Sequence, residues 1–246
     1  MLALALLIPS CLVRAQQPIL GQPESILPLD GLIGYWPGYG SARDYSPVGN
    51  DGSFGGQYVM GAPGGRAFDL STDLVTIPAS PIYNLRSYPG WTVGFWFNTN
   101  GIQLGNNGFV FLGQDNGSGY RPKWFIDYGY TVYGPNSSFV WHVNDNNQER
   151  IFLQSQPVTL PTGWNQLTVV TDNIGGTVAF YLNGQSIGVD SLPNYVLQTG
   201  APLIFGYAEP GLGYRGLLNN VVLYDRALTA YEVLRVVGAS PFITPH

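Results

Sequence analysis

Apolar and polar residues alternate with a period of two along several short stretches of the chain, which is typical of β-strands with one buried face. The clearest stretch is 164–188. Within it, 167–171 and 178–182 each place apolar side chains on one side, and a turn rich in Asn and Gly separates them. The dipeptide Asn183-Gly184 that follows fits a type I′ turn, because both central residues of that turn need positive φ. The pattern predicts a hairpin and a third strand after it.

Other short runs carry the same signal, and turn-forming residues separate them. In 67–77, Ser71-Thr72-Asp73 predicts a turn between two paired strands. At the end of the chain, Thr229 and Glu232 have the spacing of a capping box, which predicts a short helix over 230–237. The remaining strands are predicted at 32–36, 91–98, 108–113, 124–133, 138–143, 151–153, 202–206 and 217–224.

About a dozen short strands and one terminal helix predict an all-β fold, a two-sheet antiparallel jelly-roll sandwich. An up-and-down barrel is the alternative, and a propeller is disfavoured because the sequence has no blade-length repeat. One domain is expected from 246 residues. The net charge of −5, with Lys123 as the only lysine, leaves no basic patch for a phosphate backbone. Nucleic acid is therefore not expected as a partner.

The N-terminal residues 1–15 have an apolar core followed by small residues, which predicts a cleaved signal peptide and a secreted, extracellular protein. The apolar run is too short to span a bilayer, so no membrane span is expected. After the signal peptide we expect an extended lead-in at 16–30, the folded domain at 31–238 and a tail at 239–246. The only cysteine, Cys11, lies in the predicted signal peptide, so no disulfide is expected.

Three stretches share their order and spacing with one known family. They are Gly163-Trp164-Asn165 with the hairpin after it, 34–37 with the loop that follows, and 216–229. Together they resemble laminin-G-like modules of the concanavalin A-like lectin and glucanase superfamily. The resemblance implies a jelly roll, and it implies carbohydrate binding among the functions that this architecture hosts.

The same resemblance implies a structural Ca²⁺ held by oxygen ligands from the opening loop and the closing strand. Asp44 matches the acidic residue of the opening loop. At the closing strand, Asn219 and Asn220 stand where the family typically has acidic residues. The resemblance thus implies Asp44 and Asn219 as the expected metal ligands. The alternative is that these side chains satisfy backbone groups of the loops.

Sugars are recognised by flat aromatic faces together with amides and carboxylates that bond their hydroxyls. Such side chains are concentrated between 120 and 145. Within this section, Trp124, Tyr128 and Tyr130 share one face of a predicted strand, and this stripe is interpreted as a binding platform, with the core as the alternative. The candidate carbohydrate-binding residues are Trp124, Asp127, Tyr128, Tyr130, Tyr133, Trp141, Asn144 and Asp145.

No catalytic constellation is visible in the sequence. Its four glutamates are far apart along the chain, whereas glycoside hydrolases need a pair of carboxylates across the scissile bond. Asn116 and Asn136 begin glycosylation sequons in predicted loops. The sequence thus predicts a secreted, non-catalytic module that binds glycans or glycosylated extracellular proteins. A structural or adhesive protein-interaction domain is the first alternative, and a glycoside hydrolase is the second.

Overall fold

The fold is a sandwich of two antiparallel sheets with one helix on its outside. A computed structural model of the chain describes residues 27–100, 109–115, 122–129, 137–206 and 213–238. The strands are β1 (Leu32–Trp36), β2 (Gln57–Ala62), β3 (Gly65–Asp69), β4 (Val75–Ile77), β5 (Gly90–Asn98), β6 (Phe109–Asp115), β7 (Lys123–Tyr128), β8 (Phe139–Asn144), β9 (Arg150–Gln154), β10 (Trp164–Asp172), β11 (Thr177–Leu182), β12 (Gln185–Ser191), β13 (Leu203–Phe205) and β14 (Leu217–Tyr224), and the helix is α1 (Ala230–Gly238).

The larger sheet has eight strands in the order β12-β11-β10-β5-β14-β3-β2, with β1 paired to β14. The smaller sheet has six strands in the order β4-β13-β6-β7-β8-β9. Two short 3₁₀ turns, Pro81–Tyr83 and Leu85–Ser87, lie between β4 and β5. The predicted all-β jelly-roll sandwich with a short C-terminal helix is confirmed.

Aromatic rings fill the space between the two sheets. The rings of Phe97 and Phe111 have centroids 4.7 Å apart, and those of Trp91 and Trp141 are 4.9 Å apart. Such close, non-parallel contacts between rings add to the stabilisation that burial of their apolar area provides. Since the described chain contains no disulfide, this aromatic core holds the two sheets together.

The central hairpin has the predicted geometry. β10 pairs with β11 from Leu167↔Leu182 to Asp172↔Thr177. Asn183 and Gly184 have φ of 51° and 78°, so both central residues of the next turn are left-handed, as a type I′ turn requires. The third strand of the prediction is β12, at the edge of the larger sheet.

The prediction of one hairpin within 67–77 was wrong. β3 pairs with β2 and β14 in the larger sheet, whereas β4 pairs with β13 in the smaller one. Residues 70–74 thus cross between the sheets instead of forming a tight turn within one sheet. β2 was not predicted, because its residues are mostly exposed or half-buried and show no apolar alternation.

Helix α1 packs on the outer face of the larger sheet. Val233 and Val236 are buried there against Val222 of β14 and Val170 of β10. Gly94 of β5 leaves room for this contact, because a Cβ there would lie 3.0 Å from Val222 Cγ2 and 3.3 Å from Val236 Cγ1. Among the described residues, no helix is long and apolar enough to cross a membrane.

The predicted capping box at the start of α1 is present and is reinforced by an arginine. Glu232 accepts hydrogen bonds from Thr229 N at 2.9 Å and from both terminal nitrogens of Arg226 at 2.6 and 3.0 Å. The hydrogen bonds from Arg226 are the main reason why the pKa of Glu232 falls to about 2. Its charge therefore supports the fold above the ordinary pKa of a glutamate, and this support is lost as the pH falls towards 2.

We expect Glu232→Gln to lower the free energy of unfolding by about 1–2 kcal/mol at pH 7, since it removes a charge-assisted cap. The difference from wild type should shrink as the pH falls from 5 to 2. Urea denaturation at a series of pH values measures both effects. Glu149→Gln is the matched control because this side chain is exposed. A Glu232→Gln penalty that stays constant down to pH 2 would contradict the assignment.

Candidate functional site

A cleft of about 460 Å³ opens at one end of the smaller sheet. It forms there because β4, β13 and β6 are neighbouring strands, and the register Ile77↔Leu203↔Gln114 brings their ends to the same edge. The segment after β4, the first 3₁₀ turn and the segment before β13 complete the walls. The lining residues are Ala79, Ser80, Pro81, Tyr83, Asn84, Gln114, Gln198, Thr199 and Gly200.

One wall of the cleft is built on a chain of hydrogen bonds that begins at Asp44. Its Oδ2 accepts a hydrogen bond from Asn50 N at 2.8 Å, and Asn50 Nδ2 donates to the Tyr83 hydroxyl at 2.9 Å. The ring of Tyr83 is buried, with its centroid 6.3 Å from that of Trp36. These contacts fix the phenol in one orientation before any ligand arrives.

The opposite wall is fixed in a similar way. Gln114 Nε2 donates to Ala201 O at 2.7 Å, and Gln114 Oε1 accepts from Trp124 Nε1 at 2.8 Å. Gln198 N donates to Asn146 Oδ1 at 2.7 Å, which ties the segment before β13 to the β8–β9 turn. Because backbone and side chains are already held, the cleft is preorganised, which lowers the entropy cost of binding.

The polar groups of this cleft are hydroxyls and amides, and no charged side chain lines it among the described residues. Asn84 Oδ1 is buried and has no hydrogen-bond partner within the described part of the chain. Burial raises the pKa of Tyr83 above its usual range, so its phenol remains protonated at neutral pH. The cleft therefore offers neutral donors and acceptors to a ligand.

The predicted aromatic platform lies inside the sandwich. Trp124, Tyr128 and Trp141 are 1%, 2% and 0% exposed, and all three belong to the core between the sheets. The shared face of Trp124 and Tyr128 was identified correctly, but it faces inwards, because Trp124 packs on Trp91 of the larger sheet at 5.8 Å. The alternative interpretation of this stripe as core is the correct one for these two residues, and Trp141 of β8 belongs to the same core.

Asp127 lies on the opposite, outer face of the smaller sheet. In the strand register it stands between Val110 of β6 and Val140 of β8. It is only 1% exposed, and neither carboxylate oxygen has a hydrogen-bond partner within the described residues. This desolvation raises the pKa of Asp127 well above its usual range.

Asn144 and Asp145 have partners that define their local roles. Asn144 Oδ1 lies 3.0 Å from His142 Nε2, and the His142 ring stacks on Phe152 with centroids 4.3 Å apart. Asp145 Oδ1 accepts hydrogen bonds from the backbone of Asn147 at 2.8 Å and of Glu149 at 2.9 Å, so it organises the turn after β8. The predicted site residues Tyr130, Tyr133, Asn116 and Asn136 lie outside the described residues.

Asp44 does not present free oxygens for a calcium ion. Its Oδ1 accepts from the backbone of Tyr35 at 2.9 Å and of Ser46 at 2.8 Å, and its Oδ2 accepts from Ser46 Oγ at 3.0 Å and from Asn50 N. Four donors thus surround the carboxylate, which organises the loop after β1. Its role corresponds to the alternative considered from the sequence.

Asn219 holds a neighbouring loop through its amide nitrogen, and its Oδ1 is buried without a hydrogen-bond partner among the described residues. Its Nδ2 donates to Pro63 O at 2.9 Å and to Arg66 O at 3.3 Å, and Asn220 Nδ2 donates to the same Pro63 O at 3.3 Å. Among the described residues, no group of three or more His, Cys, Asp or Glu side chains could hold a metal ion. Asp44 therefore does not fit the expected Ca²⁺, and Asn219 alone offers one unpartnered amide oxygen, whereas Ca²⁺ takes about six to eight oxygen ligands.

The sequence did not reveal the cleft. Its lining comes from three separate segments, and only the strand order β4-β13-β6 unites them. Except for Gln114 of β6, the lining residues lie outside the strands, where no apolar alternation marks them. Ser80-Pro81 did carry a signal for the start of a helical turn, since Pro is favoured at a first helical position.

The two antiparallel sheets and the short C-terminal helix define an all-β jelly-roll module. A family model described as concanavalin A-like lectin/glucanases superfamily, of the laminin-G type, matches residues 69–234. The chain belongs to this superfamily, as the resemblance in its sequence implied. A search of curated proteins finds no match.

Solved structures with the same fold include toxin and enzyme domains. The binding domain of botulinum neurotoxin serotype D is 17% identical, with a TM-score of 0.66 over 85% of this chain and 52% of that one. Domain 4 of AbnA, an extracellular GH43 arabinanase of Geobacillus stearothermophilus in complex with arabinotriose, is 19% identical, with a TM-score of 0.62 over 84% of this chain and 98% of that one. The chain thus spans about half of the neurotoxin domain and nearly all of the arabinanase domain. At these identities the similarity establishes the fold.

Proposed function

We propose that the protein is a non-catalytic, carbohydrate-binding module and that the cleft beside β4 is its binding site. The observation that carries the proposal is the lining of this cleft, which is open and preorganised and consists of amide, hydroxyl and small apolar side chains. Sugar hydroxyls both donate and accept hydrogen bonds, as do these side chains. The size of the cleft suits a short oligosaccharide or the end of a longer one.

Two relatives in fold support the proposal. Domain 4 of AbnA is in complex with arabinotriose, and the binding domain of botulinum neurotoxin DC is in complex with SialylT. Of these two, the arabinanase domain is matched over nearly its whole length, so its arabinotriose is the stronger support for a saccharide as ligand. Secretion agrees with such a role and remains a prediction from residues 1–15.

A hydrolytic role has less support. Retaining and inverting glycosidases place two carboxyl groups about 5–10 Å apart across the bond that they cleave. The described lining of the cleft contains no Asp or Glu side chain. Glu232, one of the four glutamates of the chain, lies in α1 and is bound to Arg226 in the segment between β14 and α1. A binding role without catalysis is therefore proposed.

A structural or adhesive role is the second candidate, and one observation favours it. The aromatic stripe of β7 is buried, so the smaller sheet presents no Trp124 or Tyr128 ring to a sugar. An adhesive module would in addition associate with itself or with other proteins. Size-exclusion chromatography at several concentrations tests self-association directly.

The experiment for the proposed function is glycan-array binding by the full secreted protein, once with Ca²⁺ and once with a chelator. We expect binding in both conditions, because the Asp44 carboxylate is occupied by four donors and Asn219 alone supplies too few ligands for Ca²⁺. Ala79→Trp, which places an indole at the cleft, should weaken binding at least about tenfold, a loss typical of a blocked contact in a binding pocket. Met60→Trp is the matched control, since Met60 is 66% exposed and lies on β2 of the other sheet.

Circular dichroism and thermal denaturation show whether each variant is folded. A folded wild-type protein that retains no glycan would overturn the proposal, and with concentration-dependent association it would favour the adhesive role. Unchanged binding by Ala79→Trp would place the sugar elsewhere on the molecule. Loss of binding in chelator alone would show that binding depends on a metal ion, and it would restore Asp44 and Asn219 as candidate ligands.

A further inference from the structure

We propose that the cleft selects uncharged saccharides and discriminates against acidic ones such as sialylated or uronic-acid-containing glycans. The inference rests on the proposed function and specifies its ligand class. An acidic sugar that enters a cleft loses hydration around its carboxylate, and this loss must be offset by a cation or by several directed donors. The described lining supplies no Lys, Arg or His side chain.

The fixed charge behind the cleft wall is negative. Tyr83 receives its hydrogen bond from Asn50, and Asn50 is in turn held by the Asp44 carboxylate. Asp44 contributes to the raised pKa of Tyr83, after the larger contribution of burial. The same electrostatic interaction that disfavours a phenolate at this position disfavours a ligand carboxylate beside it.

Arg86, on the neighbouring 3₁₀ turn, keeps its positive charge but is held by neutral acceptors of another segment. Arg86 Nε donates to Tyr195 O at 3.0 Å, and its terminal nitrogen donates to Asn194 Oδ1 at 3.2 Å. Its guanidinium also lies over the Tyr195 ring, 5.0 Å from the ring centroid. Arg86 thus braces the segment before β13 and is not among the residues that line the cleft.

The charge of the whole chain acts in the same direction. With 10 Lys and Arg against 15 Asp and Glu, the chain carries a net charge of −5. This field slows the approach of anionic ligands and has little effect on neutral ones. A neutral oligosaccharide has no carboxylate to desolvate and is not repelled by the negative charge of the chain. The amides and hydroxyls of the cleft can therefore bind it without a compensating cation.

The test is an array of matched pairs, in which each neutral oligosaccharide is printed beside its sialylated or uronic-acid derivative. We expect every retained glycan to be neutral and its acidic partner to bind at least about tenfold more weakly, as an unpaired ligand charge implies. Gln198→Lys adds a cation at an exposed position of the lining and should reduce this difference in affinity severalfold. Gln198→Met is the matched neutral control and should leave the difference in affinity unchanged.

The outcomes separate this inference from the function on which it rests. If the wild-type protein binds acidic partners as well as neutral ones, the inference is overturned and the carbohydrate-binding function stands. If Gln198→Lys and Gln198→Met show the same difference in affinity between neutral and acidic glycans, the charge of the cleft does not determine the selectivity. The inference again fails. If the folded protein retains no glycan of either kind, both the function and the inference are overturned.

Discussion

Trp124→Ala is expected to lower the free energy of unfolding by about 3–5 kcal/mol, the usual cost of emptying a buried tryptophan site. The indole is 1% exposed and packs on Trp91 of the facing sheet. Its removal also leaves Gln114 Oε1 without the donor that it has in the native fold. Urea denaturation followed by far-UV circular dichroism measures the loss.

A graded pair of variants separates packing from hydrogen bonding at this site. Trp124→Phe keeps an aromatic ring but loses the N–H, so its cost should be smaller, about 1–3 kcal/mol. Val196→Ala is a surface control, since Val196 is 51% exposed. A Trp124→Ala protein as stable as wild type, with glycan binding abolished, would restore the surface platform that the sequence suggested.

Asp127→Asn should have the opposite effect and raise the free energy of unfolding at pH 7, by about 1–3 kcal/mol. In the native state the carboxyl is buried without a described partner, so its pKa is raised, whereas in the unfolded chain it ionises as an ordinary aspartate. The folded protein then holds a proton that the unfolded chain releases. Wild-type stability therefore falls as the pH rises above the ordinary aspartate pKa towards the raised folded value.

The pH dependence is the decisive part of this prediction. Asp127→Asn cannot ionise, so its advantage over wild type should be small near pH 4 and should grow up to pH 7. Asp190→Asn is the control, because this carboxylate accepts a hydrogen bond from Gln154 N on the sandwich surface. An Asp127→Asn protein that is less stable than wild type at pH 7 would show that the ionised carboxylate has a stabilising partner.

Most strands could be predicted from local patterns, because the alternation along a strand depends only on residues that are close together in sequence. The 164–188 hairpin shows this, since its alternation and its Asn183-Gly184 turn lie within one stretch of chain. Residues 67–77 show that such local patterns do not determine which strands pair. Two strands separated by a few polar residues look alike whether they pair with each other or enter different sheets, and only the partners β14 and β13 decide between the two arrangements.

The candidate site was harder to predict from the sequence than the fold. Periodicity shows which side chains share a face of a strand, as it did for Trp124 and Tyr128, but it does not show which face is inside. That choice depends on the facing sheet, here through Trp91. The cleft depends on strand order, and no local pattern encodes it. Asp44 was recognised as important, but its four hydrogen-bond donors, which make it a loop anchor, come from the folded loop.

The pairing of β1 with β14 has a consequence for how the protein is made. Leu32 is opposite Tyr224, and β5 lies between β10 and β14. β1 and one edge of β5 therefore stay unpaired until the last strand, β14, has formed. Contacts between residues so distant in sequence form slowly. While a ribosome is still synthesising the chain, its first strand has no partner and exposes backbone groups that can aggregate. Completion of the larger sheet thus requires that β14 has already been synthesised.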